Sequence, residues 1–252
     1  KKKFDILNLK LFCMKPKEML LNTLAKSIEE IEFLGDDHVG TSLETPMKPD
    51  AFKLSDEEKI EKIAAHFEQI MDTLGLDLTD DSLSGTPYRV AKMYVKEVFS
   101  GLNPKNKPEA KLFENKYDYD GMIAVRDIEL HSYCEHHFVP ILGRVHVAYY
   151  ASNGQVVGLS KLNRIVRYFG KRPQVQERLT KQIANELKEM LNTPDVAVVV
   201  DAYHLCVSTR GVKDTKSSTI TGVYYGKFKK DSVKDEFLKH ISSGKNDMLD
   251  SI

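Results

Sequence analysis

The sequence predicts an α+β fold in which helices pack on one face of an antiparallel sheet and further helices precede the sheet. Three observations predict this class. Helical periodicity and helix-start signals dominate up to Gly101, strand character follows at residues 122–131 and 139–150, and two more strand-like stretches occupy 196–207 and 219–228. Because helical stretches separate the two strand pairs, the order favours an antiparallel sheet with its helices on one side.

The N-terminal elements are predicted from periodicity and capping signals. Residues 16–34 carry apolar side chains at helical spacing, whereas the Gly- and Pro-containing stretch 38–54 is predicted to be an irregular arm. Ser55 precedes three acidic residues, which is typical of a helix start because the hydroxyl can cap the helix and acids favour its positive end. Helices are therefore expected at 55–74 and, from a Thr-Pro signal, at 86–101.

The later helices are expected between the strand pairs and after the last strand. Periodicity predicts helices at 160–170 and 174–191 and a short closing helix at 231–241. The polar residues 242–252 are expected to form a loose tail.

These elements predict one main domain with an appendage at each end. Residues 1–54 are a variable arm, residues 55–241 the main domain and residues 242–252 the tail. Within the main domain, a helical part (55–110) precedes a sheet-containing part (111–241).

Composition places the chain among ordinary globular proteins. Of its 252 residues, 41% are hydrophobic and 29% are charged, which allows a substantial core. The 37 Lys and Arg residues balance the 37 Asp and Glu residues, so no whole-chain field attracts nucleic acid or a membrane surface. No apolar run approaches the roughly 20 residues of a membrane span. Partners of these two kinds are therefore not expected.

The cysteines indicate a reducing compartment. Three of them, Cys13, Cys134 and Cys206, do not make a secreted disulfide framework, so a cytoplasmic location is expected, although the basic segment at residues 1–3 stays unexplained. A disulfide between Cys134 and Cys206 is an alternative, but histidines beside both cysteines favour a metal site.

Two clusters of metal-ligating residues are the most informative feature of the chain. Cys134 and His137 lie three positions apart with His136 between them, and His204 and Cys206 form a second pair further along. Thiolate and imidazole together suit tetrahedral zinc. The first pair can converge through a tight turn or one helical turn. The second pair lies in a strand-like stretch and is expected to face one side of the sheet.

These five side chains exceed the four that a closed zinc site needs. Cys134, His137 and Cys206 can supply three ligands; either His204 or His136 could be the fourth, or both could stand near the metal as proton carriers. A closed site that only stabilises the fold is the alternative. An open site would lower the pKa of a bound water towards ~7, and the surplus histidine favours this reading. The sequence therefore predicts a zinc enzyme.

A candidate anion site follows at residues 158–164, which are predicted to form a strand end, a helix cap and the first helical turn. Ser160 is expected to be the cap. Lys161 and Arg164 place two cations at the positive end of a helix, which is unfavourable unless an anion binds there. Free backbone N–H groups, a hydroxyl and two cations suit phosphate, and Arg210 would add a cation near the metal. The alternative is a solvated basic helix.

Glu177, in the first turn of the next predicted helix, is a candidate purine-binding residue. A carboxylate at this position commonly only complements the helix dipole. If it points inward, however, it can accept two N–H bonds from a guanine-like edge. Metal, phosphate cradle and carboxylate together predict hydrolysis of a nucleotide.

Four motifs, in this order along the chain, closely resemble GTP cyclohydrolase I. They are Cys134-Glu135-His136-His137-Phe138, Gly158-Leu159-Ser160-Lys161-Leu162-Asn163-Arg164, Arg172-Pro173-Gln174-Val175-Gln176-Glu177-Arg178 and His204-x-Cys206-x3-Arg210-Gly211. The resemblance extends from about residue 56 to residue 240. Two departures are residues 1–54, which match no pattern of the family, and Val207-Ser208-Thr209, which stands where many members carry a Met-rich segment.

The resemblance implies a tunnelling (T-fold) α+β unit that assembles as a toroidal homodecamer with active sites at subunit interfaces. It implies conversion of GTP and water to formate and 7,8-dihydroneopterin triphosphate, the first step of tetrahydrofolate or tetrahydrobiopterin synthesis. Water activated at the metal would attack C8 of the purine while a histidine protonates N7, and the ribose carbons would later close the pterin ring. The variable N-terminal region can carry allosteric regulation in this family.

The resemblance also implies roles for individual residues. The zinc ligands would be Cys134, His137 and Cys206, and the proton-transfer residues His136 and His204. Glu177 would hold the guanine edge with Gln176 beside it. The triphosphate would bind Ser160, Lys161, Arg164 and Arg210, joined by Arg89 from a neighbouring subunit.

Three alternatives stay open beside this resemblance. A zinc nucleobase deaminase would need a Cys-x-x-Cys motif, which this sequence lacks. A sister T-fold enzyme acting on a pterin or deazapurine would share the carboxylate but would not need the triphosphate cations. The non-enzymatic alternative is a zinc-stabilised oligomer that binds GTP only as a regulatory ligand. The presence of both His136 and His204 disfavours this alternative.

Overall fold

A five-stranded sheet organises the residues that the computed structural model describes, 42–109 and 111–242. In chain order, the strands are β1 (Leu112–Glu114), β2 (Met122–Cys134), β3 (Pro140–Tyr150), β4 (Gln155–Val157), β5 (Pro173–Gln174), β6 (Val196–His204) and β7 (Thr219–Tyr224). The large sheet has the order β5-β2-β3-β6-β7, and β1 pairs with β4 in a separate two-stranded sheet. All pairs are antiparallel except β5 with β2. The predicted α+β class is confirmed.

Six α-helices accompany the sheets in this described part of the chain. They are α1 (Asp56–Thr73), α2 (Thr86–Met93), α3 (Leu159–Gly170), α4 (Gln176–Met190), α5 (Leu205–Ser208) and α6 (Asp231–Ser242). A π-helical turn at Tyr94–Val98 continues α2, and short 3₁₀ turns lie at Ser100–Leu102, Pro104–Asn106 and Gly226–Lys229. None of these helices combines the length and the apolar composition that crossing a bilayer requires.

The predicted start of α1 is confirmed in detail. Ser55 Oγ accepts a hydrogen bond from the Glu58 N–H at 3.2 Å, and the Glu58 carboxylate accepts one from the Ser55 N–H at 2.8 Å. This reciprocal capping box satisfies two donors that a helix start otherwise leaves to solvent, and a cap of this kind contributes about 1 kcal/mol.

Several element boundaries differ from the sequence prediction. The strand expected at 219–228 ends at Tyr224, and the helix expected at 86–101 is α-helical only to Met93. The strand expected at 196–207 ends at His204, where the chain turns into α5, because β-branched residues upstream of His204 predict strand without marking its end. The helix expected at 174–191 begins at Gln176, because the two preceding residues pair with β2 as β5. The helix expected at 16–34 and the tail beyond Ser242 lie outside the described residues.

The two faces of the large sheet are covered differently because successive strand residues point to opposite sides. On one face α3 and α4 contribute to the main core, in which Val145 of β3 and Leu162 of α3 are fully buried. On the other face, Phe237 of α6 packs with Phe228 against Ala148. The expected helices on one face are therefore α3 and α4, and the closing helix covers part of the other face.

A buried histidine on this second face is held neutral by its surroundings. The register of β2 and β3 shifts between Val125 and Ile128, and the N–H of Asp127, released from the ladder there, donates to Nδ1 of His146 at 3.2 Å. Burial lowers the pKa of His146 below its ordinary value; Asp127 and Asp201 oppose this shift and two arginines reinforce it. Nδ1 is thus an acceptor, and the folded state resists protonation of the ring.

This environment predicts a pH dependence of stability. Because the folded-state pKa of His146 lies below the unfolded value of about 6.5, the unfolded chain binds more protons, and the free energy of unfolding falls as the pH drops through that value. His146→Gln retains an acceptor but cannot titrate. Urea unfolding at pH 7 and pH 5 is expected to show a smaller loss of stability for this variant than for the wild type; equal losses would contradict the assignment.

Candidate functional site

The hairpin turn between β2 and β3 carries the first metal cluster. The Phe138 N–H donates to the Cys134 carbonyl oxygen at 2.8 Å, and the Cys134 N–H donates to Val139 at 2.9 Å. Phe138 adopts the left-handed conformation with φ 53°, and its ring packs against Phe99 at a centroid distance of 5.0 Å. Of the two geometries left open by the spacing, the structure has the tight turn. Residues 134–138 are called the metal turn below.

The second cluster reaches the metal turn through a change of direction that spacing did not indicate. His204 ends β6 opposite Ile141 of β3, and Cys206 lies in the helical turn α5 that follows. The expectation that His204 and Cys206 share one face of a strand is therefore wrong. The helical turn instead rotates Cys206 towards Cys134, where both thiols are buried.

Three side chains converge as a candidate metal centre. The ligand atoms of Cys134, His137 and Cys206 all lie within 4.8 Å of one another. Two thiol sulfurs and one imidazole nitrogen match the donors that zinc prefers, and a site with three protein ligands keeps one position open. Within the described residues, the structure therefore brings the three predicted ligands together, and their donor set fits zinc.

The protonation of Cys206 supports the same reading. Burial raises the pKa of the Cys206 thiol to about 11, and the nearby Cys134 adds to the shift while Arg210 opposes it. Two buried thiols in contact cannot both ionise without a compensating cation. A divalent metal supplies that charge and binds the thiolates.

The two remaining histidines flank this centre in different environments. His136 is solvent-exposed, and its Nδ1 lies 3.7 Å from the sulfur of Cys134. His204 is half-buried, and its Nε2 lies 2.7 Å from Oε1 of Gln176 at the start of α4. Burial lowers the pKa of His204, and the Glu177 carboxylate partly opposes this.

Gln176 fixes the tautomer of His204. Its Nε2 donates to the carbonyl oxygens of Val200 at 3.2 Å and Thr219 at 2.7 Å, which can only accept, so Oε1 is the atom that faces the histidine. His204 must then donate from Nε2, which leaves Nδ1 as the acceptor of the neutral ring. Gln176 is 2% exposed, whereas the neighbouring Glu177 is exposed at the same helix start.

Arg210 brings a cation to the edge of the metal centre. Its Nη1 lies 2.7 Å from Nε2 of His137, and Arg210 is exposed to solvent on the outer side of this contact. The structure thus confirms a cation beside the metal cluster, as the spacing from Cys206 indicated.

The candidate phosphate cradle lies at the start of α3, with one change in the cap. The N-cap is Gly158 without any side-chain cap bond, so the expectation that Ser160 caps the helix is wrong; Ser160 is the second helical residue. The first turn carries no acid. Neither Lys161 nor Arg164 forms a salt bridge with another described residue, and both remain available to an anion.

This cradle and the metal centre lie at opposite ends of the sheet within one chain. The C-terminal Gly170 of α3 lies against the backbone of His131, three residues before Cys134. The N-terminal end lies at the far end of β3, where the Val157 N–H donates to the Tyr149 hydroxyl. α3 has 12 residues, which correspond to about 18 Å of helix. The side chains of one chain therefore do not bring cradle and metal together.

Arg89 also lies apart from the metal cluster. It occupies an exposed position on α2, where its guanidinium donates to the Ser82 carbonyl oxygen and to Thr86 Oγ1, both at 2.9 Å. Glu177, His136, His204 and Arg210 are therefore the candidate residues that the structure places around the metal ligands, with Gln176 behind His204.

One pair of residues beside the metal turn had no role in the sequence prediction. Glu135 accepts a hydrogen bond from Nη2 of Arg178, and the two side chains are 21% and 2% exposed. The only signal in the sequence was that each lies inside a motif, next to a ligand or to Glu177. Nothing local indicated that the two would meet.

Comparison with known proteins identifies similar chains over most of this length. Residues 63–242 match the model of a family described as GTP cyclohydrolase I. A protein of Flavobacterium johnsoniae named GTP cyclohydrolase 1 is 56% identical over 211 residues, 84% of this chain and 94% of that protein. Proteins of the same name from Aeromonas salmonicida (54% over 197 residues, 78% and 89%) and Salmonella arizonae (49% over 214 residues, 84% and 96%) are also similar.

Proposed function

Because the chain belongs to the GTP cyclohydrolase I family, we propose that it hydrolyses and rearranges GTP to formate and 7,8-dihydroneopterin triphosphate in a zinc-dependent reaction. The observation that carries the metal dependence is the convergence of Cys134, His137 and Cys206. The names of similar proteins and the match to the family model support the reaction class.

Zinc would be held by these three residues, and when bound it supplies a Lewis acid that activates water and polarises the purine. The residues around the metal are proposed to bind the substrate and transfer protons. Glu177 is exposed and close enough to His204 to influence its pKa, and its proposed role is to accept the N–H groups of the guanine edge. His204, with its acceptor nitrogen set by Gln176, can take a proton from the reacting atoms, and His136 can deliver one.

We propose further that a second copy of the chain completes each site. The triphosphate of GTP needs several cations, and among the described residues Arg210 is an exposed cation that contacts a metal ligand, His137. The cradle of Ser160, Lys161 and Arg164 lies about one α3 length away, so a neighbouring copy must present it. Arg89 is proposed to reach the same triphosphate from a neighbour. This arrangement agrees with the expected toroidal decamer, whose subunit number light scattering can measure.

A complementation experiment tests the shared site. Cys206→Ala damages the metal half, and Lys161→Ala with Arg164→Ala damages the cradle half. Each variant alone is expected to be nearly inactive. In a symmetric oligomer assembled at random from both variants, about a quarter of the sites combine an intact metal half with an intact cradle half. Co-expression of the two variants is therefore expected to restore activity to as much as about a quarter of the wild-type value. Activity no higher than the two variants separately would place the cradle and metal of each site in one chain.

The reaction itself is tested by incubating the zinc-loaded protein with GTP and measuring formate and the fluorescence of oxidised neopterin product, with a chelated control. Both products, lost on chelation, are expected. Formate without pterin would indicate that only the first half of the sequence proceeds. GTP binding without either product at full zinc occupancy would favour the second candidate, a zinc-stabilised oligomer that binds GTP as a regulatory ligand.

The biosynthetic context follows from the proposed product. 7,8-Dihydroneopterin triphosphate can supply tetrahydrofolate or tetrahydrobiopterin synthesis, and we propose a cytoplasmic enzyme at the first step of one of these routes. The presence of three cysteines without a disulfide framework supports the reducing location.

A further inference from the structure

A chain of polar contacts runs from the metal turn into the interior beside α4. Glu135 is held at two points: its N–H donates to the Gln174 carbonyl oxygen at 3.1 Å, and its carboxylate accepts from Arg178. Nε of Arg178 donates to Oε1 of Gln174 at 3.1 Å. Gln174 is itself fixed, because its amide donates to the Phe169 carbonyl oxygen at 2.9 Å and to Gln182 at 3.0 Å.

The chain does not stop at Gln182. The Gln182 amide donates to the Leu43 carbonyl oxygen and to the Glu44 carboxylate, both at 3.1 Å. Every amide along this route therefore has a defined orientation, and Arg178 is attached to groups that cannot rotate independently. The packed interior of the domain fixes the position of Arg178, and the contact of Arg178 with Glu135 fixes the metal turn relative to that interior.

The pair is poorly suited to a role in stability alone. Arg178 is 4% exposed, and its Nη1 finds no hydrogen-bond partner among the described residues. Desolvating a guanidinium is costly, and replacing a buried ion pair by apolar side chains is often neutral or stabilising. What the pair does supply is geometry. The other carboxylate oxygen of Glu135 lies 4.0 Å from Nε2 of His136, so one carboxylate stands between the fixed cation and the histidine beside the metal ligands.

We propose that Arg178 is a positioning residue that fixes the metal turn through Glu135, so that Cys134 and His137 are held for the metal and His136 for proton transfer. The part concerning His136 rests on the proposed function; the part concerning the metal does not. Loss of Glu135 leaves the Arg178 guanidinium buried and uncompensated, and loss of either partner removes the ion pair that ties the metal turn to α4.

A double-mutant cycle on the full chain tests this coupling. The variants are Arg178→Met, Glu135→Gln and the two combined, and the zinc dissociation constant is measured by chelator competition without GTP. Each single variant is expected to weaken zinc binding about 10- to 100-fold, the range found for residues that orient metal ligands. The double variant is expected to be no weaker than the worse single variant, because both changes remove the same ion pair. Arg178→Lys, which keeps the charge but cannot bridge Glu135 and Gln174, is expected to recover part of the affinity and serves if Arg178→Met does not fold.

Steady-state kinetics on the same variants separate positioning from general damage. We expect kcat for formate release to fall while KM for GTP stays within about threefold, because the altered turn acts on the reacting end and not on the triphosphate. Arg172→Met is the matched control, since Arg172 is also buried and its Nε holds the Gly101 carbonyl oxygen at 2.8 Å without contacting the metal turn. In the double variant of Arg172→Met and Glu135→Gln, the fold-changes in zinc affinity of the two single variants should multiply, because the two residues do not act on each other.

Two results would overturn the proposal. One is a lower melting temperature for Arg178→Met with unchanged zinc affinity and unchanged kcat, which would make the pair structural only. The other is independent multiplication of the Arg178→Met and Glu135→Gln effects. If instead the zinc cycle is coupled as expected but the wild type releases no formate from GTP, the positioning of the metal turn stands and the proposed reaction fails.

Discussion

Cys206→Ala is expected to abolish zinc binding and turnover together. Cys206 supplies one of two sulfurs among the converging ligand atoms, and it is the only ligand that comes from the second cluster. Without it, Cys134 and His137 remain on one turn, and two ligands from one turn hold zinc far more weakly than three. Because the proposed chemistry needs the metal, the rate of formate release should fall as zinc occupancy falls. If only general acid–base groups catalyse the reaction without zinc, the rate should fall by at least about 10³-fold.

The measurement is zinc per chain by elemental analysis after dialysis, together with formate release at saturating GTP. Cys13→Ala is the matched control, because Cys13 lies outside both metal clusters in the sequence, and it should keep zinc and activity. Stoichiometric zinc and full turnover in Cys206→Ala would remove this residue from the ligand set. Retained zinc without turnover would show that the thiolate tunes the metal and is not needed to hold it.

His204→Ala is expected to leave zinc bound and remove product formation. In the three-ligand arrangement the His204 imidazole does not bind the metal but lies beside it. Its Nε2 donates a hydrogen bond to Gln176, so Nδ1 of the neutral ring can accept a proton. Burial lowers the pKa of His204, so the neutral form is present at neutral pH. A positioned general acid–base group contributes about 10²- to 10⁴-fold in rate, and kcat should fall by that amount with little change in KM.

The test is the kinetic comparison of His204→Ala with His131→Ala, both analysed for zinc content. His131 is an exposed residue of β2 with no contact to the metal ligands among the described interactions, and its loss should leave kcat unchanged. Loss of zinc in His204→Ala would make His204 a fourth ligand and the site a closed one. Full activity with zinc retained would exclude the proton-transfer role.

The sequence predicted most elements because their signals are local. The hydroxyl and acids at the start of α1, the Thr-Pro start of α2 and the β-branched runs of β2, β3 and β6 each act within a few residues. Where the prediction was wrong, a tertiary contact had overridden local preference. β5 is two residues long and exists only because β2 lies beside it, and α5 follows β6 where residue preferences favoured continued strand.

The candidate site divides in the same way. Which residues can hold zinc followed from chemistry and spacing, since Cys134 and His137 lie within one turn and sulfur with imidazole suits the metal. That Cys206 joins them depends on the register of β6 against β3, which sets His204 opposite Ile141 and so directs α5 to the metal turn. No local pattern encodes a register between strands that are distant in the chain.

The sequence by itself determined the α+β class, the chemistry of the candidate metal donors and the cations that are proposed to bind a triphosphate. Only the tertiary structure decided that the cradle of Lys161 and Arg164 lies a helix length from the metal, that Gln176 faces His204, and that Arg178 reaches Glu135. The physical reason is that side-chain chemistry and short-range periodicity belong to each segment alone, whereas the distance between segments is set by long-range strand pairing and by the packing of helices on the sheet.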